Sequence, residues 1–517
     1  MRAGNRGGGE GGWPHSMGLG PSVPFAILAV ALVGLLLAGS IRYLLFASYF
    51  DHGEVSLAVR GWQLTQGAPI YRDAADPEFL LTVYGPTVFA WNGLWNWIGG
   101  GTLAASKLGG VAAALIAALA FALHAARQFG RKGIAPALGL MLALVLMGDK
   151  KAYWVRPDPV SLLLVTLGLV LVAELARERR PWWAGPLALG VIGGLLADVK
   201  VHHGLYAVPL VFGFLAGQPL RRWPLAAVTG ALVAAFPFTL PWFPPDIYAS
   251  ILAMVAGRHE VEPLLALRQM NHLIYFFVPV LAAPFAWRRL TGGERLYVAG
   301  YGGSALVAIY PSVVSGSGWY QMLALLPVTA DLAMRVARAL PDPRRMATAF
   351  ILVFTGAAVG FAWPSQRQVH RFFRENTWTA EAAAEIRAVM AANPGKTIEM
   401  GFGNHNEKPY ERTFLRTIPI FAGHPSTFDG WSEMEWSYIG RPASSAKILR
   451  LRRCTAELML VPTGGDPFTM SSYFGGGERF LKPYRIAFDS AYELRSEGRY
   501  YDVWGCVAVV DFTKPKR

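Results

Sequence analysis

The sequence has few charged residues and very few cysteines. Charged residues make up 16% of its 517 positions and hydrophobic residues 53%, whereas a soluble domain carries about 25% charged residues. This balance excludes a disordered chain and argues against a purely soluble enzyme. Two cysteines are too few for a disulfide scaffold or a zinc site of four thiolates. The composition predicts a membrane protein with a polar appendage, and the 17 tryptophans fit the aromatic belts at membrane interfaces.

Eleven apolar segments follow a short polar start. Residues 1–23 are rich in glycine and predict a disordered cytoplasmic tail. The segment 24–46 lacks a clear cleavage site of small residues and is followed by more segments, so we interpret it as a retained helix and not as a signal peptide. A membrane span needs about 20 residues, and three later segments, 135–148, 183–198 and 201–216, are shorter. The other candidates are 102–126, 157–175, 223–243, 266–286, 295–311, 319–337 and 346–363.

The basic residues of the loops indicate the orientation of this membrane module, which covers residues 24–363. If the N-terminus is inside, the inner loops hold seventeen Lys and Arg residues, and the outer loops and helix ends hold nine. This distribution obeys the positive-inside rule. An odd number of spans then places the C-terminus outside, which for a bacterium means a multi-pass inner-membrane protein with a periplasmic C-terminal part. The net charge of +14 follows from this topology and requires no nucleic-acid partner.

Residues 364–517 predict a second, periplasmic unit of α/β or α+β class. Residues 377–395 have the pattern of a helix, with Thr379 near its N-cap and Pro394-Gly395 at its end. Three segments that are rich in β-branched and aromatic residues predict strands, namely 396–403, 456–462 and 500–512.

Both cysteines, Cys454 and Cys506, lie in this second unit. A single pair on the oxidising side of the membrane predicts a disulfide, with two buried thiols as the alternative. We find no internal repeat, which argues against transporter folds that are built from inverted halves.

The loop 50–101 is the longest between the predicted spans and predicts two surface helices. Gly67 ends the first of them, and the second, 84–101, begins at a Gly-Pro pair and is too short to span a membrane. Asp51 therefore lies where the first span leaves the bilayer, beneath a lid of two helices. The apolar side of the first helix is given by the spacing of Val55, Ala58, Val59 and Trp62.

These motifs resemble the GT-C superfamily of integral membrane glycosyltransferases, which use lipid-linked sugars. The nearest branch includes the lipid A aminoarabinose transferase, the protein O-mannosyltransferases and the Rhizobium-type lipopolysaccharide transferases. The resemblance implies a polytopic α-helical membrane protein with a GT-C-like fold, here of about eleven transmembrane helices. The motifs that carry it are Asp51, then Gly67-Ala68-Pro69-Ile70-Tyr71-Arg72-Asp73, then Tyr84-Gly85-Pro86.

The resemblance extends more weakly to about residue 340. Arg156-Pro157-Asp158 looks like the Arg-Pro-Asp element of related transferases, and Lys200 looks like their basic residue at the outer end of the fifth span. This chain departs from its relatives at the second carboxylate. Many of them carry two adjacent acids after the first span, whereas here Glu54 lies three residues after Asp51.

Sugar transfer from a polyprenyl phosphate requires a base for the acceptor hydroxyl and cations for the leaving phosphate. We assign the base to Asp51, with Glu54 and Asp158 as the other candidate catalytic acids. The alternatives are structural roles: Asp51 would be a charge at a helix end, and Asp158 would interact favourably with the helix dipole. The candidates for binding the phosphate are Lys150, Lys151, Arg156 and Lys200, of which the two adjacent lysines could instead be a snorkelling pair.

Metal and acceptor sites have weaker signals. A divalent ion, the only cofactor considered, could be held by Asp51, His202 and His203, although such histidines are more often structural. The acceptor candidates are Tyr71, Tyr84, His259 and His405. Solvated loops are the alternative reading for both histidines.

The sequence thus predicts an inverting membrane glycosyltransferase. It would move a sugar from a polyprenyl-phosphate donor to an extracytoplasmic glycan or lipid acceptor, with membrane lipids around it. Two alternatives stay open at this point. One is a transporter or flippase of lipid-linked saccharides, which would need polar residues deep within its spans. The other is a non-catalytic subunit with the same fold.

Overall fold

The structure is a computed structural model that describes residues 22–177, 181–215, 220–255, 263–314, 316–342, 344–403, 407–464, 466–470, 480 and 482–507. Each predicted apolar segment coincides closely with a helix, some with a 3-10 turn at one end. The helices α1 to α14 are Ser22–Leu45, His52–Thr65, Pro86–Gly99, Leu103–Phe129, Arg131–Leu146, Pro157–Arg177, Ala184–Val199, Val208–Leu215, Trp223–Ala235, Pro245–Val255, Pro263–Ala286, Gly292–Ser312, Leu326–Arg338 and Arg345–Glu375.

Five helices in the described ranges, α1, α4, α6, α11 and α14, are long and apolar enough to cross a membrane. Three shorter apolar helical segments cover 184–199, 201–214 and 223–239. The prediction of a helical membrane protein is therefore confirmed, whereas the total of eleven spans stays a prediction. Some predicted spans are divided or polar: α13, for example, follows a 3-10 turn and contains Asp331 and Arg335.

The predicted boundary at residue 363 falls inside a helix. Helix α14 begins at Arg345 and continues without a break to Glu375. Its last turns are polar, which ends the apolar segment in the sequence but does not end the helix, because a polar side chain on an exposed face costs little helix propensity. The helix that contains the predicted boundary therefore extends to Glu375.

A buried polar network joins α4, α12 and α13. The Nε2 atom of His124 lies 2.7 Å from Oδ1 of Asp331. The other carboxylate oxygen accepts hydrogen bonds from the Tyr297 hydroxyl at 3.1 Å and from Nε of Arg335 at 2.7 Å. The carboxylate of Asp331, which is fully buried, is thus satisfied by three partners within the protein, as a stable buried charge requires.

The two predicted surface helices of the first loop are α2 and α3. Helix α2 ends near Gly67, which has a positive φ of 77°. All residues from Gly53 to Gly61 are buried, so α2 is covered on more sides than an amphipathic helix on a membrane surface would be. The chain after α14 provides part of that cover: Oγ of Ser56 donates a hydrogen bond to Asp429 at 2.5 Å.

A mixed four-stranded sheet follows α14. Its strand order is β1-β2-β4-β3, with β1 parallel to β2 and the other pairs antiparallel. The strands are Ile398–Met400, Leu458–Pro462, Tyr492–Ser496 and Tyr501–Cys506. The accompanying helices α15 to α20 are Trp378–Ala392, Glu407–Arg412, Thr417–Phe421, Gly430–Tyr438, Ser445–Arg452 and Lys482–Asp489.

The strand β3 was not predicted. It forms one edge of the sheet, and only its first residue, Tyr492, is buried, so its sequence lacks the apolar alternation of a half-buried strand. The three predicted strands overlap β1, β2 and β4, although residues 508–512 lie outside the described residues. The predicted helix is α15, and Gly395, beyond its end, has a positive φ of 79°.

A disulfide joins Cys454 to Cys506, the pairing that the sequence predicted. It links the residues just before β2 to the end of β4, across a sequence separation of 52. The bond therefore holds two neighbouring strands of the sheet together.

Candidate active site

Asp51 lies at the N-terminus of α2, directly after the first membrane helix. It is the N-cap residue, and its Oδ1 accepts a hydrogen bond from the backbone nitrogen of Glu54 at 3.0 Å. In return, Oε2 of Glu54 accepts from the backbone nitrogen of Asp51 at 3.1 Å. This reciprocal capping box explains why the two acids are three residues apart. The second carboxylate oxygen of Asp51 remains available to other partners.

Arg156 is the main partner of Asp51. Its Nη1 donates to Oδ2 of Asp51 at 2.9 Å, and its Nη2 donates to the hydroxyl of Tyr84 at 2.8 Å. Burial would raise the pKa of Asp51, but the Arg156 guanidinium and, to a lesser extent, His52 and Lys150 lower it to about 2. The Asp51 carboxylate is therefore ionised at neutral pH and a quarter of its side chain is exposed.

The guanidinium of Arg156 is oriented by aromatic rings. It lies 4.6 Å from the centroid of Trp154 and 5.9 Å from that of Tyr320. The indole of Trp154 donates in turn to Oδ2 of Asp158 at 3.0 Å. Asp158 is buried and contacts Arg156 through this ring, which makes it a positioning residue in the present geometry. Among the described residues, the buried Nε of Arg156 has no hydrogen-bond partner.

Glu54 is placed differently from Asp51. It is fully buried and accepts hydrogen bonds from the Tyr43 hydroxyl and from the backbone nitrogens of Phe50 at 2.6 Å and Val155 at 3.0 Å, in addition to Asp51. Burial and the negative charge of Asp51 raise the pKa of Glu54 to about 7, against these donors. A carboxylate with every lone-pair direction occupied has no access to a substrate, so the geometry favours a positioning role over the predicted catalytic one.

Lys200 lies at the other side of Tyr84. Its Nζ is 5.7 Å from the centroid of the Tyr84 ring and donates to Oε1 of Gln321 at 3.2 Å. Burial lowers the pKa of Lys200 to about 8, with Asp158 acting in the opposite direction. The lysine is protonated at neutral pH and contributes a second cation next to Arg156.

Gly85 explains how Tyr84 and Lys200 come together. A Cβ atom at Gly85 would lie 2.1 Å from the carbonyl oxygen of Asp198, at the end of α7. The Gly85 backbone nitrogen donates to the carbonyl oxygen of Val199 at 3.1 Å. Only glycine permits this approach, which fixes the start of α3 against the residues that precede Lys200.

The other predicted basic residues lie nearby but make different contacts. Lys151 forms an ion pair with Asp149 at 2.8 Å. The Nζ of Lys150 lies over the rings of Phe50 and Phe372, at 5.2 and 5.3 Å from their centroids. Lys150 still contributes to the low pKa of Asp51, so both lysines border the site without contacting Arg156.

The tyrosine and histidine candidates for the acceptor have mixed outcomes. Tyr71 is buried, and its hydroxyl donates to the carbonyl oxygen of Tyr84 at 2.8 Å, so it positions the neighbouring residue and does not face a substrate. Tyr84 belongs to the site through Arg156. His259 and His405 lie outside the described residues.

The predicted metal site is not assembled. His203 is buried and lies 2.6 Å from the Ser161 hydroxyl through its Nδ1 atom, and its ring faces that of His202 at 4.7 Å. Asp51 instead pairs with Arg156. Within the described ranges, no three His, Cys, Asp or Glu side chains form a group that could hold a metal ion. The residues present do not fit a divalent ion.

The chain after α14 adds residues that sequence reasoning missed. The ring of Trp431, in α18, lies 5.5 Å from that of Tyr84. Next to it, Arg416 forms a buried ion pair with Asp429, the residue that also contacts α2. In the sequence, Trp431 follows the pair Asp429-Gly430, a tryptophan in a polar segment that could have indicated a functional residue. Nothing in the sequence indicates that it contacts Tyr84.

The site combines one ionised carboxylate with two cations that contact aromatic rings. Solved structures with a similar overall fold are known. ArnT from Cupriavidus metallidurans in the apo state matches with a TM-score of 0.54 and 13% identity, over 94% of this chain and 98% of ArnT. ArnT bound to undecaprenyl phosphate matches with a TM-score of 0.55 and 12% identity, over 94% and 99%. This chain has the fold of ArnT.

ArnT is a GT-C glycosyltransferase, so the resemblance that the motifs indicated is confirmed at the level of the fold. A weaker match is the arabinofuranosyltransferase AftD from Mycobacteria, with a TM-score of 0.48 and 14% identity, over 95% of this chain and 40% of AftD. No protein-family model matches the chain, and no curated protein sequence matches it.

Proposed function

We propose that this chain is a membrane glycosyltransferase that takes a sugar from a polyprenyl-phosphate donor and transfers it, with inversion, to a hydroxyl of an extracytoplasmic glycan or lipid. The ArnT fold supports the donor class, because ArnT has been solved with undecaprenyl phosphate bound. The five long apolar helices support a location in a membrane. We further propose that the site and the chain after α14 face the periplasm of a bacterial inner membrane.

The observation that carries the proposal is the Asp51–Arg156 pair. A carboxylate and a guanidinium at 2.9 Å, with the buried Nε of that guanidinium lacking a partner among the described residues, are suited to a base and a phosphate ligand placed side by side. Arg binds phosphate with two parallel hydrogen bonds. Lys200, next to Tyr84, adds the second positive charge that a leaving phosphate requires.

The reaction would proceed in one displacement. The acceptor hydroxyl attacks the anomeric carbon and forms the new glycosidic bond, while the bond between that carbon and the phosphate oxygen breaks. Asp51 takes the proton of the hydroxyl, and the lipid phosphate leaves with the electron pair of the broken bond, held by Arg156 and Lys200.

The low pKa of Asp51 has a consequence for this mechanism. A carboxylate with a pKa of about 2 is a weak base, since an effective base has a pKa nearer the working pH. A donor phosphate would compete for the guanidinium of Arg156 and weaken its pairing with Asp51. Burial would then dominate and raise the pKa of the carboxylate. Donor binding thus activates the base.

The test is release of free polyprenyl phosphate from a panel of polyprenyl-phosphate sugars, with purified protein and a lipid extract as the source of acceptor. Asp51→Asn is expected to lower the rate by at least about 100-fold, the contribution of a positioned base. Asparagine is also a good N-cap, so the fold of α2 should persist. Asp246→Asn, an exposed acid in the first turn of α10, is the matched control.

Equal release by wild type and Asp51→Asn would show that Asp51 is not the base. A thermal unfolding transition shows whether the purified protein is folded. If folded protein releases nothing from any donor, the proposal is contradicted and a non-catalytic subunit or a transporter is favoured.

A further inference from the structure

A cavity of about 700 Å³ lies between the middle of α1 and the last turns of α14. It is lined by Leu35 of α1 and by residues of the last turns of α14, of which Trp363, Arg367, His370, Arg371 and Arg374 matter here. These five side chains are exposed. We call this cavity the basic groove. None of its lining residues belongs to the candidate active site, and its ligand is inferred independently of the reaction proposed above.

The basic groove concentrates positive charge on one side of α14. Arg367, Arg371 and Arg374 follow the spacing of one helix face, and Arg42 of α1 contacts His370 from across the groove. No ion pair in the described part of the chain includes any of these four arginines, and the nearby Glu375 is in none either. Like charges at such spacing destabilise a helix, so an anion bound from outside the chain would stabilise the arrangement.

The positive-inside rule does not explain these arginines. Helix α14 begins with Arg344 and Arg345, which lie at its inner end on the predicted topology. The basic groove is at the opposite end of the same helix, where topology favours few basic residues. Another function for the charges is therefore needed.

The surface around the basic groove is suited to contact with a lipid. Both α1 and α14 are among the helices that are long and apolar enough to cross a membrane. Their outward faces carry exposed apolar side chains, with 73% exposure for Val30 and 71% for Val353. Trp363, exposed by 62%, belongs to a residue type that is enriched at the membrane interface. The groove is thus located where apolar surface gives way to positive charge.

We propose that the basic groove binds the phosphate-bearing headgroup of an anionic phospholipid, whose acyl chains lie along α1 and α14. Arginine is the side chain best suited to bidentate phosphate contacts. The apolar faces below the groove would accommodate the chains, and the free volume of the cavity would hold the headgroup.

The experiment uses the full-length protein in lipid nanodiscs with a trace of photoreactive phosphatidylglycerol, followed by mass spectrometry of the labelled peptides. Label is expected on peptides that contain Leu35 and Trp363–Arg374. Each basic residue near an anionic lipid contributes roughly fivefold to its binding, so Arg367→Gln/Arg371→Gln should lower the apparent affinity by about 30-fold. Arg452→Gln/Arg453→Gln removes the same charge from exposed positions at the C-terminal end of α19 and should leave the labelling unchanged.

Three results would overturn the proposal. Equal labelling of the groove by a phosphatidylcholine probe with the same chains would mean a non-specific lipid contact. Unchanged labelling in Arg367→Gln/Arg371→Gln would remove the arginines from the site, and the single variant Arg371→Gln tests the same point if the double variant does not fold. Displacement of the probe by excess inorganic phosphate would indicate a site for a free anion instead.

Discussion

At the scale of single residues, Arg156 determines the chemistry of Asp51. The guanidinium is held by Tyr84 and by the rings of Trp154 and Tyr320, so its distance from Asp51 is fixed by three neighbours. Since burial alone would raise the pKa of Asp51, the ionised state depends mainly on this cation, with smaller contributions from His52 and Lys150. The pair therefore controls the fraction of Asp51 that can accept a proton.

Arg156→Gln is expected to move the acid limb of the pH–rate profile to higher pH. Asp51 must be deprotonated to act as a base, so activity is lost as the pH falls through its pKa. In the wild type that pKa is about 2, and without the opposing charge burial raises it. The profile is measured as polyprenyl phosphate release relative to each variant's own maximum, at donor concentrations well below saturation, where the acid limb reports the pKa of the donor-free enzyme. An unshifted limb would contradict the argument, and Arg127→Gln, whose partner is Glu174 at 2.9 Å, serves as control.

Glu54→Gln is expected to destabilise the fold by about 1–3 kcal/mol, the cost of an unsatisfied buried group. Each carboxylate oxygen of Glu54 accepts from two donors, and an amide nitrogen in either place would face donors only. Thermal unfolding of the purified protein at pH 8 measures the effect. Glu457→Gln makes the same change at an exposed acid that accepts from Thr397 at 3.0 Å and should alter stability by less than about 0.5 kcal/mol. Equal effects in both variants would argue against the positioning role.

At the scale of elements, the start of α3 and the end of α7 are packed backbone to backbone. The contact between Gly85 and Asp198 sets the height of Tyr84 relative to Lys200. The capping box of α2 sets Asp51 in the same way. The site is thus formed by helix ends whose positions are fixed locally by a cap and a glycine.

Gly85→Ala is expected to lower the rate of polyprenyl phosphate release by about 100-fold, the effect of a displacement of about 1 Å in a reacting group. The added Cβ would meet the Asp198 carbonyl at 2.1 Å, and backbone cannot yield as a flexible side chain would. The control is Gly356→Ala in α14, where an added Cβ meets nothing within 4 Å. Activity of Gly85→Ala near that of the wild type would show that the close approach does not position the site.

Elements also show where sequence reasoning works and where it fails. The spacing of apolar residues and the Gly-Pro pair predicted the positions of α1, α2 and α3, because burial of apolar surface governs helix formation locally. The same reasoning placed α2 on an open surface. It could not show that Asp429, far along the chain, closes over Ser56. The burial of an amphipathic helix depends on partners that its own sequence does not name.

At the scale of the whole molecule, the disulfide tests the predicted topology. If the chain after α14 lies outside the cytoplasm, Cys454 and Cys506 are joined as a disulfide in cells. In membranes that have been quenched with acid, neither cysteine should then react with a maleimide–polyethylene glycol reagent. After reduction, two labels are expected. Cys454→Ser, which leaves one free thiol, gives the single-label control. Two labels without reduction would place this part of the chain in a reducing compartment.

Loss of the same bond should weaken the sheet. A cross-link that closes a loop of about 52 residues lowers the conformational entropy of the unfolded chain, which stabilises the folded state by roughly 4 kcal/mol. The bond joins strands that also pair directly, so its loss lowers stability without removing the pairing.

The sequence by itself determined the class of the molecule, the helix positions and most of the residues around Asp51. These follow from local composition and spacing, because hydrophobicity and backbone capping act over a few residues. Only the tertiary structure decided that Glu54 is occupied by four donors, that His202 and His203 do not join Asp51, and that Trp431 meets Tyr84. Those outcomes depend on which helix ends meet, and that is set by packing between segments that lie far apart in the chain.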